Sequence, residues 1–156
     1  MMASVESPRI REAETKVLPR LLVLMQQLST SGANPEVEAL TPRHEAAIEE
    51  LIHSPYCHLL VIEDKEQVLG TCVVYILPNL PHGAARWAVV EHVVVDETHR
   101  SLGFGERLMD EAERLAREAG AYRLSLMSHA QRDGAHRFYT RLGYRDSHVG
   151  FTKYFL

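Results

Sequence analysis

The chain has 156 residues, of which 46% are hydrophobic and 24% are charged, and its formal net charge at pH 7 is −4. A chain of this length is most simply one domain with a sizeable core, so we expect a single domain over residues 1–156 with a loose terminus at residues 1–7. The negative net charge makes nucleic acid an unfavourable main partner. No apolar run approaches the ~20 residues that a membrane span needs, so we expect no membrane partner.

The start of the chain and its two cysteines indicate the compartment. Residues 1–10 lack the basic-then-apolar pattern of a signal peptide. Cys57 and Cys72 form neither a CxxC pair nor a disulfide framework, so we expect reduced thiols. Together these observations predict a cytoplasmic protein.

The first half of the chain predicts a short strand, two helices and an antiparallel strand pair. In the first helix, apolar residues recur at helical spacing, and Pro19 favours a start near Leu18. Thr41-Pro42 is typical of the beginning of a helix. The predicted elements are a strand at 9–14, helices at 15–28 and 41–52, and strands at 58–62 and 67–77.

The central stretch of the chain is the apolar strand Trp87–Asp96. Its residues are almost all apolar and β-branched, which predicts a strand with both faces buried in the middle of a sheet. Glu91 interrupts it, and a buried carboxylate is costly unless it is paired or takes part in catalysis. Strand alternation places five side chains on one face: Trp87, Val89, Glu91, Val93 and Val95.

A glycine turn, Arg100-Ser-Leu-Gly103-Phe-Gly105, follows this strand and precedes a helix that should stop at Gly120. Glycines let the backbone approach a ligand, and the first N–H groups of a helix have no partner inside it. These features favour phosphate or pyrophosphate binding. The dinucleotide-binding alternative requires a third glycine where Leu108 stands, and no Gly-Lys-Ser/Thr is present, which excludes a Walker loop. A tight turn without a ligand is the remaining alternative.

The last part of the chain predicts a strand, a helix and a closing strand pair. The strand is expected at 122–127, parallel to the central one. Asp133 could cap the next helix, which should end at Gly143. A strand pair or hairpin is predicted over 144–156.

Two of these segments together resemble one known superfamily. Arg100-x-x-Gly103-x-Gly105 after a valine-rich strand resembles the acetyl-CoA motif of the GCN5-related N-acetyltransferases (GNAT). The segment from Arg132 to Tyr144 looks like that superfamily's fourth helix, and both segments stand in the family's order. The resemblance extends by element order over roughly residues 8–156. It implies an α/β (α+β) fold: a mixed, mostly antiparallel sheet of six or seven strands with splayed central strands, flanked by about four helices.

The resemblance also implies a reaction, the transfer of an acetyl group from acetyl-CoA to a primary amine, and the residues that take part in it. Glu91 would be the general base, acting directly or through a water, and Tyr139 the general acid for the departing thiolate. The structural alternatives are an arginine-paired or solvent-open Glu91 and a Tyr139 that is only a core aromatic. The implied cofactor is acetyl-CoA, and the implied cofactor-binding residues are Val93, Val94, Val95, Arg100, Ser101, Leu102, Gly103, Phe104, Gly105, Glu106 and Arg132.

Arg132 departs from the family pattern, because many relatives carry an asparagine at this position. It could contact the cofactor or face solvent. The nine histidines are scattered without metal-ligand spacing, so no metal site is predicted. For His92, His136 and His148, a surface or satisfied-core position is favoured over a place in the site.

The tail from Asp133 to Lys153 is similar to that of aminoalkylphosphonate N-acetyltransferases and their small-amine relatives. This implies a small primary amine as substrate, and an anionic group on it could meet Arg132, Arg86 or His148. Two alternatives stay open: an acetyl-CoA-binding regulatory module without turnover, and acetylation of protein N-termini or lysines. Relatives are often dimers, so the closing strands could supply a homodimer interface.

Overall fold

The computed structural model describes residues 8–28 and 38–155. The predicted loose terminus at 1–7 and the predicted loop at 29–35 lie outside the described residues. The chain divides into two compact units, residues 1–125 and 126–156. Each unit is described by itself.

The first unit contains all of the strands found in the described residues. Its helix α1 begins at Leu18, as predicted, after a 3₁₀ turn at Thr15–Val17. In order, its elements are β1 (Arg9–Glu12), α1 (Leu18–Gln26), α2 (Pro42–His53), β2 (Cys57–Asp64), β3 (Gln67–Leu77), β4 (Arg86–Val95), α3 (Phe104–Glu118) and β5 (Ala121–Ser125).

The five strands form one mixed sheet in the order β1-β2-β3-β4-β5. Neighbouring strands are antiparallel except β4 and β5, which are parallel. One face packs under α1 and α2, where Leu21, Leu24 and Val73 belong to the core. On the other face α3 approaches closely, since a Cβ on Gly70 would lie 3.3 Å from Leu108. The predicted mixed, mostly antiparallel α/β fold is confirmed.

The strand count differs from the prediction. Five strands are present in the described part of the chain, whereas six or seven were expected. The difference lies at the end, because residues 144–155 form no strand and the predicted closing pair is wrong for them. Residues 145–155 are all exposed, with Phe151 at 94% and Phe155 at 87%. Alternating aromatic residues favour a strand, but a strand forms only where a neighbour accepts its backbone hydrogen bonds and covers its apolar face.

An ion-pair cluster fastens β1 to β2. Glu63 is 4% exposed and accepts hydrogen bonds from Arg9 at 2.9 Å and Arg11 at 2.8 Å. The hydrogen bond from Arg11 is the main cause that lowers the pKa of Glu63 to about 2, although burial of the carboxylate opposes it. A buried carboxylate with two arginine partners stabilises the edge of the sheet.

Both cysteines are free and buried in the first unit. Burial raises the pKa of Cys57 to about 11 and that of Cys72 to about 12. The thiols are therefore protonated and inert at neutral pH. Separately, none of the helices within residues 8–28 and 38–155 has the length and apolarity that a bilayer crossing requires.

In its described part, residues 126–155, the second unit contains one helix, α4 (Asp133–Arg141). Arg132 occupies the N-cap position, so Asp133 is the first helical residue rather than the predicted cap. The helix ends before Gly143, whose φ of 92° is the left-handed conformation expected of a helix stop.

Candidate functional site

A bulge in β4 lies directly after Glu91. The pairing with β3 changes from Val73 opposite Glu91 to Thr71 opposite Val94, and His92 has a φ of 52°. β4 thus has two residues where β3 has one, Cys72. The bulge shifts the alternation, so Val94 shares the face of Glu91. The prediction that Val93 and Val95 lie on that face is wrong.

The pairing between β4 and β5 stops halfway along β4. The last pair is Val89 with Ser125, whereas β4 continues to Val95. From Val90 onward, no β5 residue pairs with the side of β4 that faces away from β3. This early end of the pairing follows from the end of β5 at Ser125, and the splay of the central strands stays a prediction. The missing pairing leaves backbone groups available for a ligand, although the carbonyl of Val95 accepts a hydrogen bond from Arg100 Nε at 3.3 Å.

Glu91 is partly exposed rather than buried. In β4 only Ala88, Val90 and Val94 are buried, so the prediction that both faces of this strand are buried is wrong. The strand has no β5 neighbour beside Glu91, which opens this part of it. Among the ion pairs of the described residues none involves Glu91, so the arginine-paired alternative is not found there. Glu91 lies at a bulge open to solvent. This position agrees with the alternative in which Glu91 has no catalytic role and also with the one in which it is an accessible general base.

Tyr75 on β3 is a candidate site residue that the sequence did not single out. It pairs with Val89, next to the Val73–Glu91 pair, and so lies diagonally beside Glu91 on the same face. Its own burial raises the pKa of Tyr75, with smaller contributions from Cys57 and Glu91. The hydroxyl is therefore protonated at neutral pH and can donate a hydrogen bond. Only the register between β3 and β4 reveals this neighbour, because nothing in the local sequence marks it.

The glycine turn has the geometry that anion binding requires. Ser101 and Gly103 have φ values of 63° and 82°, and α3 begins at Phe104. The first helical bond runs from Arg107 N to the Gly103 carbonyl at 3.1 Å, so the three N–H groups before it have no acceptor inside the helix. No atom lies within 4 Å of the place where a Cβ on Gly103 would stand. These N–H groups are available to an anion, and the binding of a diphosphate by this turn stays a prediction.

Helix α1 holds the chain at the entrance to this turn. Asp96 is buried and accepts hydrogen bonds from the Thr98 amide at 2.9 Å and from the Thr98 hydroxyl at 2.6 Å, and it also pairs with Arg20. These donors, Thr98 first, hold the pKa of Asp96 far below its usual range. Gln27 accepts a hydrogen bond from the Glu97 amide at 3.0 Å. Sequence analysis missed the role of Arg20, since it is 76 positions away from Asp96.

The other predicted residues lie in the second unit. Tyr139 is partly exposed on α4, with its ring edge-on to Phe138 at 5.1 Å and to Tyr144 at 5.9 Å. Arg132 is partly exposed at the N-cap, and its amide donates to the His129 carbonyl at 3.0 Å. The roles predicted for Tyr139 and Arg132 stay predictions.

A surface cleft of about 490 Å³ lies between the start of α1 and helix α2. The family resemblance implies an acceptor pocket near these two helices. None of the residues that line the cleft is among the predicted site residues. The lining residues are Thr15, Lys16, Leu18, Pro19, Leu40, Glu45 and Glu49.

Comparison with known proteins places this chain in a family. The acetyltransferase (GNAT) family matches residues 24–144. An aminoalkylphosphonate N-acetyltransferase of Salmonella typhimurium (strain LT2) is 35% identical over 64% of this chain and 64% of its own length. A putative [ribosomal protein bS18]-alanine N-acetyltransferase of Bacillus subtilis (strain 168) is 30% identical over 60% of this chain and 58% of its own. The chain thus spans somewhat less than two thirds of these curated relatives.

A solved structure, a putative acetyltransferase from Agrobacterium tumefaciens, shares the fold over nearly its whole length. It has a TM-score of 0.84 and 28% identity, covering 94% of this chain and 99% of its own. The family match covers more than half of this chain and includes the glycine turn, Glu91 and Tyr139. The chain therefore belongs to the acetyltransferase (GNAT) family.

Proposed function

We propose that this protein transfers an acetyl group from acetyl-CoA to a small primary amine. The observation that carries the proposal is one arrangement within the first unit. β4 holds a partly exposed carboxylate beyond the last residue pair with β5, and a glycine turn in the left-handed conformation, whose amides have no acceptor inside the helix, follows along the chain. The name of the Salmonella relative supports an amine that also bears a phosphonate.

In the proposed mechanism, the residues of this chain bind, orient and move protons. Acetyl-CoA supplies the acetyl group as an activated thioester. The amide groups of residues 101–106 bind the diphosphate, and backbone groups of Val93, Val94 and Val95 orient the acyl arm. The Glu91 carboxylate accepts a proton from the ammonium group of the substrate, directly or through a water, so that the free amine attacks. As the C–N bond forms and the C–S bond breaks, the Tyr139 hydroxyl donates a proton to the leaving thiolate, and the amide nitrogen of the product loses its extra proton to the tyrosinate or to solvent.

A second candidate substrate is the N-terminal amine of a protein. The Bacillus subtilis relative, named for an alanine of a ribosomal protein, favours it. Both candidates share the same chemistry at nitrogen and differ in what surrounds the amine. The homodimer expected from the resemblance also stays a prediction.

The test is turnover with acetyl-CoA and a panel of amines, followed as free thiol. The panel should contain aminoalkylphosphonates, amino acids, neutral alkylamines and short peptides that begin with alanine. With a small amine, we expect thiol to be released faster than in the background with acetyl-CoA alone. With the peptides we expect slower release of thiol than with the small amine. Preference for the peptides would support the protein substrate. Tight acetyl-CoA binding without turnover on any amine would support a regulatory module.

A further inference from the structure

The first unit contains an arginine stacked on the only tryptophan of the chain. The guanidinium carbon of Arg123 on β5 lies 4.3 Å from the centre of the Trp87 ring on β4. Both residues are partly exposed. This cation–π contact holds the guanidinium in one orientation at the sheet surface.

Two hydrogen-bond donors in this pair lack acceptors. Arg123 Nε and Trp87 Nε1 are both buried and have no hydrogen-bond partner among the described residues. No carboxylate of those residues forms an ion pair with Arg123 either, in contrast to Arg11 and Arg20. Buried donors without acceptors cost free energy, so two in one place require an explanation. Because these two atoms are buried, a ligand would meet the terminal nitrogens of the partly exposed Arg123, and guanidinium groups bind phosphonate and carboxylate in bidentate geometry.

The pair lies on the same sheet face as Glu91. Trp87, Val89 and Glu91 pair with Leu77, Tyr75 and Val73, which alternate on one face of β3. The ring contact places Arg123 on this face as well. At ~3.3 Å per residue, the Cα atoms of Trp87 and Glu91 lie about 13 Å apart, and the long side chains of Glu91 and Arg123 can cover part of that distance.

We propose that Arg123, positioned by Trp87, binds an anionic group of the acceptor, so that the substrate is a small amine bearing a phosphonate or carboxylate. This rests on the proposed function, because Glu91 would receive the amine at the other end of the same row. Arg123 would thus select the substrate without taking part in proton transfer.

The test separates the subsite from the reaction. Trp87 fluorescence, recorded with CoA present, should respond saturably to aminomethylphosphonate and not to methylamine. Arg123→Met keeps the packing on the ring and removes the charge, so it should weaken this response by at least about tenfold, and Arg123→Lys should restore part of it. The exposed Arg43 on α2 provides the control, and Arg43→Met should leave the response unchanged.

Kinetics supply the second readout. Arg123→Met should raise KM for anionic amines by at least about tenfold, with little change in kcat or in KM for neutral amines. Comparing glycine with aminomethylphosphonate as substrate then shows whether the subsite prefers a carboxylate or a phosphonate. The subsite would be overturned if Arg123→Met changed KM equally for neutral and anionic amines, or if Arg86→Met selectively lost affinity for anionic amines instead. It would also be overturned if the Trp87 fluorescence of the wild-type protein did not respond to aminomethylphosphonate. Wild-type protein that binds anions at Trp87 yet acetylates no amine would overturn the proposed function and leave the subsite standing.

Discussion

Glu91 is accessible to solvent, and the pairing of β3 with β4 defines which side chains lie beside it. The bulge after it and the end of β5 beside it leave the carboxylate partly exposed, so that a substrate amine or a water can reach it. Tyr75 lies diagonally beside it and retains its proton. The proposed base therefore lies at a partly exposed position rather than buried in an apolar strand.

Glu91→Gln tests this role directly. Removing the base should lower kcat by about 100-fold or more and abolish the acidic limb of the pH–rate profile, while acetyl-CoA affinity stays close to that of the wild type. Steady-state rates from pH 5 to 9 and a calorimetric titration with acetyl-CoA measure the two effects. Glu50→Gln, at an exposed position of α2, is the control. An unchanged profile in Glu91→Gln would remove Glu91 as the base.

The lowered pKa of Glu63 predicts that the stability of the folded protein depends on pH. The pKa of Glu63 lies at about 2 in the folded protein, below the ordinary value of 4.5, so its ion pairs stabilise the fold above pH 4.5. That stability is lost as the pH falls from 4.5 towards 2. Glu63→Gln should therefore lower the free energy of unfolding at pH 7 by about 1.5–3 kcal/mol.

The difference between Glu63→Gln and the wild type should narrow below pH 4.5. Urea unfolding at pH 7 and at several lower values measures it. Glu66→Gln, in the exposed turn between β2 and β3, provides the comparison and should cost little at any pH. A difference that stays constant across this range would contradict the ion-pair explanation.

At the scale of elements, local signals predicted the structure well and cross-strand effects could not be predicted. β3 has the predicted bounds Gln67–Leu77, and α1 begins at Leu18, because alternation and proline act locally. The bulge at His92 depends on how β4 meets β3, so simple alternation failed beyond it. The same holds for the Trp87–Arg123 contact, which joins separate strands.

The glycine turn before α3 makes a prediction with a matched control. Gly103 and Gly120, at the two ends of α3, have φ values of 82° and 75°, and a Cβ on either would meet no atom within 4 Å. Valine at either position therefore imposes a similar backbone strain of about 1–3 kcal/mol. Only Gly103→Val should also abolish acetyl-CoA binding, because it obstructs the approach of the diphosphate to the amides.

Thermal unfolding and an acetyl-CoA titration of both glycine variants separate strain from lost binding. Similar losses in Tm, with affinity lost only in Gly103→Val, are the expected result. Wild-type affinity in a folded Gly103→Val variant would refute the assignment of this turn to the cofactor.

At the scale of the whole molecule, the proposed reaction requires both units. The first unit carries Glu91 and the glycine turn, whereas the second, of about thirty residues, carries Tyr139. Segments shorter than about 40 residues seldom fold alone without disulfides, metals or partners. Both cysteines lie in the first unit and are free, so no disulfide supports the second.

We therefore predict that the full chain unfolds in one cooperative transition, as a single domain over residues 1–156 would. Trp87 fluorescence reports on the first unit, and NMR signals of the Tyr139 and Tyr144 rings report on the second; their urea midpoints should coincide. A synthetic peptide of residues 126–156 should lack stable helix by circular dichroism. Loss of the tyrosine signals at lower urea than the fluorescence change would contradict a single domain. Coincident midpoints would mean that the proposed base and acid belong to one cooperative structure, which a reaction that uses both of them requires.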